Sequence, residues 1–264
     1  MSRKHRRGQS VAHKAAQISS APAPAPPLTR PNALRIDGFD ALRGGALCLM
    51  FVYHFAFDLR FYGVLAADFE HDPFWLAFRA LIVIAFMVLV GMSLFLADRA
   101  SATPAHFWRR IGIIAACALL ATIGSWILFP RTFIFFGMLH AIAAASLLAN
   151  PAVHRPWLAA AIGCIVIALG LVLSIPAFDA RSLSWIGFAT AKPATEDYVP
   201  LAPWAGFVFL GIALAHMLAH QGFRAVAPLA SAPRWLRWLG RHSLAVYMVH
   251  QPLLLGALWL VVRA

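Results

Sequence analysis

The chain has 264 residues, of which 61% are hydrophobic and only 12% are charged, against about 25% charged in a typical soluble domain. The mean hydropathy is +0.75. This composition excludes a water-soluble enzyme and, for most of the length, a disordered chain, because a solvated chain carries far fewer apolar residues. The net charge of +12 comes without a folded basic module bearing stacking aromatics, so we expect no nucleic-acid partner.

The first 36 residues differ from the rest of the chain. They hold seven Lys and Arg residues and an Ala-Pro stretch from Ala21 to Pro27, with no apolar core of the kind that a signal peptide has. The sequence therefore predicts two regions, a disordered basic cytoplasmic tail over residues 1–36 and a transmembrane domain over residues 37–264. Basic tails commonly orient the first span; binding of nucleic acid or anionic lipid is the alternative role.

Seven apolar segments follow the tail, each long enough to cross about 30 Å of hydrocarbon. They cover residues 41–57, 74–97, 111–129, 132–148, 157–175, 201–218 and 244–262. We therefore predict an all-α, polytopic transmembrane helical bundle of about seven spans. With the N-terminus in the cytoplasm, the inner segments carry 15 Lys and Arg residues and the outer connections carry four, in agreement with the positive-inside rule.

The cysteines give no sign of a disulfide framework or a metal centre. Cys48, Cys117 and Cys164 all lie inside apolar segments, which is typical of small core residues. No set of His, Cys, Asp and Glu residues has the spacing of a metal site, so we expect no metal. The sequence leaves the oligomeric state open.

The first span carries the densest group of ionisable residues. Asp40, Arg43, His54 and Asp58 fall within an arc of about 60° on a helix, and such groups usually face the interior of a bundle. His54 and Asp58 are four residues apart, so the carboxylate can orient the imidazole and make it a general base. We expect His54 to lie beside a cavity. The alternative is that Asp40 and Arg43 pair at the interface while His54 hydrogen-bonds in the core.

Further polar residues lie in the later spans. His140 is in the fourth, and Tyr247, His250 and Gln251 are in the seventh. With His54 they define a polar path across the bilayer, although a packing role is the alternative for each histidine. The same residues also suit the proton relay of a proton-coupled transporter or flippase, which is the second hypothesis. A membrane scaffold without catalysis is the third. The chain shows no inverted repeat of the kind that marks many transporters.

Four sequence blocks occur in an order that resembles a known family. They are Asp40-Ala-Leu-Arg-Gly44 with the stretch to His54, Phe136-Gly-Met-Leu-His140, Asp197-Tyr-Val-Pro-Leu-Ala-Pro-Trp204, and Leu239-Gly-Arg-His-Ser-Leu-Ala-Val-Tyr-Met-Val-His-Gln-Pro252. The opening block is similar to that of transmembrane acyltransferases. Over about residues 35–262 the set more closely resembles bacterial relatives of the heparan-α-glucosaminide N-acetyltransferase catalytic domain.

The resemblance implies an integral membrane acyltransferase of the bacterial inner membrane, in contact with lipid. Its donor would be acetyl-CoA, taken from the cytoplasmic side, and its acceptor a hydroxyl or amine of a sugar or glycan on the outer side. By match to the motif His54 is the catalytic histidine, and His71 is its rival, because the lysosomal enzyme has its histidine further along the outer connection.

The remaining expected roles follow the two sides of the membrane. Arg43 is expected to hold the Asp40 carboxylate and to shape the entrance for CoA phosphates, with help from Arg109, Arg110 and Arg241. At the outer mouth, contact with the acceptor is assigned to Asp197, Tyr198 and Trp204. The passage between the two sides is assigned to His140, Tyr247 and His250, and Gln251 is a further candidate for binding the substrate or cofactor.

Overall fold

The structure is a computed structural model that describes residues 36–263. The tail predicted over residues 1–36 lies outside this part of the chain, apart from Ile36. Nine helices occur in the described part. They are α1 (Asp37–Phe61), α2 (Pro73–Arg99), α3 (Pro104–Leu128), α4 (Met138–Ala149), α5 (Pro156–Val172), α6 (Arg181–Ser184), α7 (Leu201–His220), α8 (Arg234–Arg241) and α9 (Ser243–Arg263).

The prediction of an all-α membrane bundle is confirmed. Residues 36–263 contain no β-strand, and α1, α2, α3, α7 and α9 are each long and apolar enough to cross a membrane. Only helices and closed barrels satisfy all their backbone hydrogen bonds in lipid. The chain is therefore an integral membrane protein that crosses the bilayer several times.

Two of the seven predicted spans are shorter than expected. The segment predicted over residues 132–148 becomes a helix only at Met138, and α4 has 12 residues; α5 has 17. Residues 132–137 are not helical and pair with the segment 195–199. The amide of Glu196 donates to the carbonyl of Thr132 (2.8 Å) and that of Val199 to Phe136 (3.3 Å). Because amides of another segment of the protein donate hydrogen bonds to these carbonyls, this backbone need not be helical.

Local signals set the starts of several helices. Proline is the first residue of α2, α3 and α5, where its missing N–H costs nothing. Before α2, Asp72 accepts a hydrogen bond from the amide of Phe74 (2.8 Å), and before α3 Thr103 accepts one from His106 (3.4 Å). With Thr103 as its cap, α3 begins at Pro104, seven residues before the apolar segment 111–129 that predicted this helix.

Helix α7 packs against both α2 and α5 through glycines. A Cβ added to Gly91 would lie 2.0 Å from the carbonyl oxygen of Val208, and one added to Gly211 would lie 2.2 Å from that of Val88. Gly163 and Gly206 form a similar close contact between α5 and α7. Small residues let membrane helices approach until their backbones touch, so these glycines fix the centre of the bundle.

The short helix α8 packs across the N-terminal part of α1. A Cβ added to Gly240 would lie 1.8 Å from the carbonyl oxygen of Asp40, and one added to Gly44 would lie 2.0 Å from that of Leu236. Trp235 and Trp238, by contrast, are more than half exposed. A helix with one packed face and exposed tryptophans on the other is typical of the membrane interface.

The helices place two sets of residues at opposite ends of the bundle. We call the end that carries the N-terminus of α1 the basic end, since Arg43, Arg109, Arg110 and Arg241 lie there. Ser243, the first residue of α9, lines the same cavity as Arg43. At the other end, which we call the far end, Tyr62 donates to the carbonyl of Leu255 (3.2 Å). That the basic end faces the cytoplasm remains a prediction from the charge distribution.

Candidate functional site

A cavity of about 300 Å³ opens among α1, α2, α3, α4 and α9 near the basic end. Its polar lining residues lie toward this end. They are Arg43, Ser93, His106, Arg109, Arg110 and Ser243. Deeper in, its walls are apolar, and the deep part includes Met138, Leu139, Ile142 and Tyr247. We call it the basic cavity, and its chemistry suits a ligand with an anionic head and a narrow, less polar arm.

The guanidinium of Arg43 is held firmly at this cavity. It donates to Asp40 Oδ1 (3.0 Å) and to Ser93 Oγ (2.7 Å), which confirms the expected pairing of Arg43 with Asp40. Asp40 is only 2% exposed and also accepts from Arg241 Nε (3.3 Å). Charge-assisted bonds of this kind fix geometry as well as contributing energy. The network therefore keeps one cation facing the cavity.

Arg241 has a different position from the one expected. It lies on α8 and binds Asp37 (2.9 Å) and Asp40 rather than lining the cavity. Arg237 pairs with the same Asp37 carboxylate. The acidic first turn of α1 attracts these two α8 arginines, so Arg241 supports the site only through Asp40.

A cluster of polar side chains continues from the deep end of the cavity along the seam between α1 and α9. The ring of Tyr247 lies 5.4 Å from that of His250, and the ring of His250 lies 4.9 Å from that of His54, measured between centroids. One helical turn after His54 on α1, Asp58 Oδ1 accepts a hydrogen bond from Gln251 Nε2 on α9 (2.8 Å). His54 itself is not among the residues that line the basic cavity, and that it borders a cavity stays a prediction.

The predicted partnership of Asp58 with His54 is wrong. Asp58 is 1% exposed and accepts its hydrogen bond from Gln251 on α9, while Nδ1 of His54 is buried without a hydrogen-bond partner among residues 36–263. Spacing within one helix brings the two residues near each other, but a side-chain amide from the neighbouring helix satisfies the carboxylate instead. Gln251 thus holds Asp58 across the seam.

A second pocket, of about 200 Å³, lies at the far end. Its side chains include the cations Arg79 and Lys192 and the aromatic rings of Tyr198 and Trp204. We call it the far pocket. Tyr198 is fixed by donating its hydroxyl to the carbonyl of Ser184 (2.6 Å). Two of the three residues assigned to the acceptor, Tyr198 and Trp204, therefore share one pocket.

The third of these residues, Asp197, has a structural contact. Its carboxylate accepts from the amide of Met138 (2.8 Å) and so caps the N-terminus of α4. Burial raises the pKa of the Asp197 carboxyl above its usual range, while Met138, Arg79 and Lys192 oppose that shift. Since Met138 lines the basic cavity, Asp197 links that cavity to the loop that forms the far pocket.

His140 and His71 lie away from both cavities. His140 accepts at Nδ1 from the amide of Gly137 (3.3 Å) and contacts Thr122 Oγ1 through Nε2 (3.3 Å). It thereby stabilises the start of α4, and its expected place on the passage is not met. The side chain of His71 is 82% exposed on the loop between α1 and α2, where it pairs with Asp68.

Arg79, in the far pocket, and Ser93, in the basic cavity, are not among the site residues predicted from the sequence. Arg79 is a charged residue inside the long apolar segment 74–97, and that position was itself a signal, because such residues are rare in spans and usually functional. Ser93 carries no comparable signal, since its contact with Arg43 joins residues 50 positions apart. Among residues 36–263, no group of three or more His, Cys, Asp or Glu residues is arranged to hold a metal ion.

Comparison with known proteins gives one match. The family model described as "Heparan-alpha-glucosaminide N-acetyltransferase, catalytic" matches residues 35–252. The chain belongs to this family. Neither the curated proteins nor the solved structures gave a match.

Membership in the N-acetyltransferase family indicates an acetyltransferase-type membrane enzyme. The matched residues include α1 to α8 and the first half of α9. They therefore contain the basic cavity, the far pocket and the cluster of Tyr247, His250 and His54. The family implies an acetyl-CoA donor.

Proposed function

We propose that the protein transfers an acetyl group from acetyl-CoA, bound in the basic cavity, to a sugar or glycan acceptor bound at the far end. The observation that carries this proposal is the cavity itself, with arginines near one end and apolar walls leading inward to Tyr247. CoA has anionic phosphates and a narrow pantetheine arm, and Arg43, Arg109 and Arg110 offer the matching charge. With the arm in the cavity, the thioester lies toward Met138 and Tyr247.

His54 is the proposed base. Its ring contacts that of His250, which in turn contacts the ring of Tyr247 in the lining of the basic cavity. A neutral imidazole in this position takes the proton from the acceptor O–H or N–H as the acceptor attacks the thioester carbon, and the CoA thiolate leaves. Direct transfer in one step is the simplest scheme, and an acetyl-histidine intermediate is the two-step alternative.

The acceptor is proposed to bind at the far pocket. Trp204 and Tyr198 supply aromatic faces for the apolar side of a sugar ring, and Arg79 and Lys192 supply donors for its oxygen atoms. Asp58 and Gln251 lie on the seam toward the same end. The proposed location is the bacterial inner membrane, with the N-terminus and the basic end in the cytoplasm where acetyl-CoA is found.

The test is an acetyl-transfer assay with purified protein in detergent, labelled acetyl-CoA and a panel of amino sugars and glycans. We expect covalent transfer, and a fall in turnover of about 10²- to 10⁴-fold in His54→Ala. His71→Ala separates the two candidate histidines, since its exposed side chain lies outside both cavities. His220→Ala, at the exposed end of α7, is the matched control and keeps full turnover.

Two outcomes contradict the proposal. One is loss of transfer in His71→Ala with normal transfer in His54→Ala, which moves the chemistry to the loop after α1. The other is movement of a substrate across liposomes, with no covalent product formed from any acceptor in the panel. That result supports the proton-coupled transporter instead.

A further inference from the structure

His250 has one nitrogen fixed and one free. Its Nδ1 contacts the backbone carbonyl oxygen of Tyr247, and because a carbonyl only accepts, Nδ1 carries the proton. The neutral ring therefore has its lone pair on Nε2. That atom is buried and has no hydrogen-bond partner among residues 36–263. A buried nitrogen that can accept a proton and has no structural bond is unusual, since buried polar groups are nearly always paired.

The ring of His54 is next to that of His250. The two ring centroids lie 4.9 Å apart at an interplanar angle of 62°, and Nδ1 of His54 is the other buried ring nitrogen without a partner in the described residues. The two nitrogens do not hydrogen-bond to each other directly, so one water between them would connect them. The same cluster also holds unpaired Asp58 Oδ2 and Gln251 Oε1. Four unsatisfied buried polar atoms in one cluster point to a site that exchanges protons or holds water.

The ring of His54 contacts His250 and, less closely, its sequence neighbour Tyr53 (5.7 Å between centroids). On α1, Phe51 contacts His250 (5.7 Å between centroids) and Asp58 is bound to Gln251. On α9, Tyr247 contributes its carbonyl and its ring. Within residues 36–263 no charged side chain hydrogen-bonds to either histidine, so neither ring has a fixed counter-ion.

We propose that His250 is a positioning residue for His54, which it orients and from which it receives a proton during acetyl transfer. This proposal rests on the proposed function. His54 takes the acceptor proton on one nitrogen and passes the proton of its other nitrogen, through one bridging water, to Nε2 of His250. The acceptor O–H or N–H and the thioester C–S bonds break, and the new acetyl C–O or C–N bond forms. The proton then passes to the leaving thiolate near Tyr247, and both rings return to neutral.

The kinetic test compares His250→Ala with Asp58→Asn and with the control His220→Ala. We expect His250→Ala to lower kcat about 30- to 100-fold, with the KM for acetyl-CoA changed less than about threefold. Added imidazole restores part of the rate. Asp58→Asn keeps its contact with Gln251 in altered form and lowers kcat less than His250→Ala. A normal kcat in His250→Ala, or a larger loss in Asp58→Asn, overturns the proposal.

A second measurement needs no activity. Nitrogen-15 NMR of histidine-labelled protein in nanodiscs reports which nitrogen of His54 carries the proton. We expect one tautomer in the wild type and in His220→Ala, and a mixture of both tautomers in His250→Ala. An unchanged His54 signal in His250→Ala refutes the pairing. If the pairing is seen and no acceptor is acetylated, the proposed function fails while the histidine pair stands.

Discussion

The contact between α8 and α1 makes a sharp prediction, because two adjacent glycines of α1 differ in their surroundings. A methyl group at Gly44 would lie 2.0 Å from the carbonyl oxygen of Leu236, whereas one at Gly45 has no atom of another element within 4 Å. Gly44→Ala therefore forces α8 away from α1 by about 1 Å, since ordinary carbon–oxygen contacts need about 3.3 Å. Gly45→Ala needs no such movement.

The two substitutions are expected to change the free energy of unfolding in opposite directions. Overpacking costs about 1–3 kcal/mol, and a shift of α8 also stretches the bonds of Arg241 to Asp37 (2.9 Å) and Asp40 (3.3 Å). Because Arg241 is 39% exposed, solvent screens those bonds and their loss adds little to the cost. Gly45→Ala instead removes the entropic cost of a helical glycine and gains about 0.5–1 kcal/mol.

The assay is thermal unfolding in detergent, followed by tryptophan fluorescence. At about 2–4 °C per kcal/mol for a domain of this size, Gly44→Ala lowers Tm by roughly 2–12 °C and Gly45→Ala raises it by roughly 1–4 °C. Gly44→Ala also raises the KM for acetyl-CoA, because Asp40 positions Arg43. Equal shifts in the two variants would refute the close backbone contact between α8 and α1.

The other predictions concern the two pockets and the carboxylate between them. Arg110→Ala raises the KM for acetyl-CoA about 10-fold or more, as expected for loss of a charge-assisted bond, and weakens its dependence on salt; Arg99→Ala, at the same end but outside the cavity lining, is the control. Trp204→Ala raises the KM for the acceptor much more than that for acetyl-CoA, as initial-rate kinetics would show; equal effects on both contradict separate pockets. Burial raises the pKa of Asp197, so its stabilising contribution is present at low pH and is lost as the pH rises through the folded-state pKa. The Tm of the wild type relative to Asp197→Asn therefore rises as the pH is lowered from neutral toward the ordinary carboxyl pKa of about 4, and a constant difference counts against a buried, protonatable Asp197.

Much of the fold could be predicted from apolar segments and helix periodicity. Five of the seven segments are membrane-length helices, and Asp40 and Arg43 pair on one face of α1 as their spacing suggested. The prediction of a span over residues 132–148 was wrong for residues 132–137, because hydropathy does not distinguish a helix from other backbone conformations. Residues 132–137 need not be helical because a segment about 60 positions later supplies hydrogen bonds to their carbonyls.

The details of the candidate site could not be predicted from local spacing. Asp58 has a potential partner four residues away in His54, but its actual partner, Gln251, is 193 positions along the chain. His250 and His54 are similarly remote in sequence, and their contact depends on how α9 lies against α1. Arg79, in contrast, was visible as a lone cation in an apolar segment.

The carboxylate of Asp197 has a consequence for how two substrates meet. It holds Met138 at the deep wall of the basic cavity, and its neighbour Tyr198 forms part of the far pocket. A ligand that shifts the loop at one pocket therefore moves the wall of the other. Thermodynamic reciprocity then requires that donor and acceptor change each other's affinity by the same factor, and we expect the two binding steps to be cooperative rather than independent.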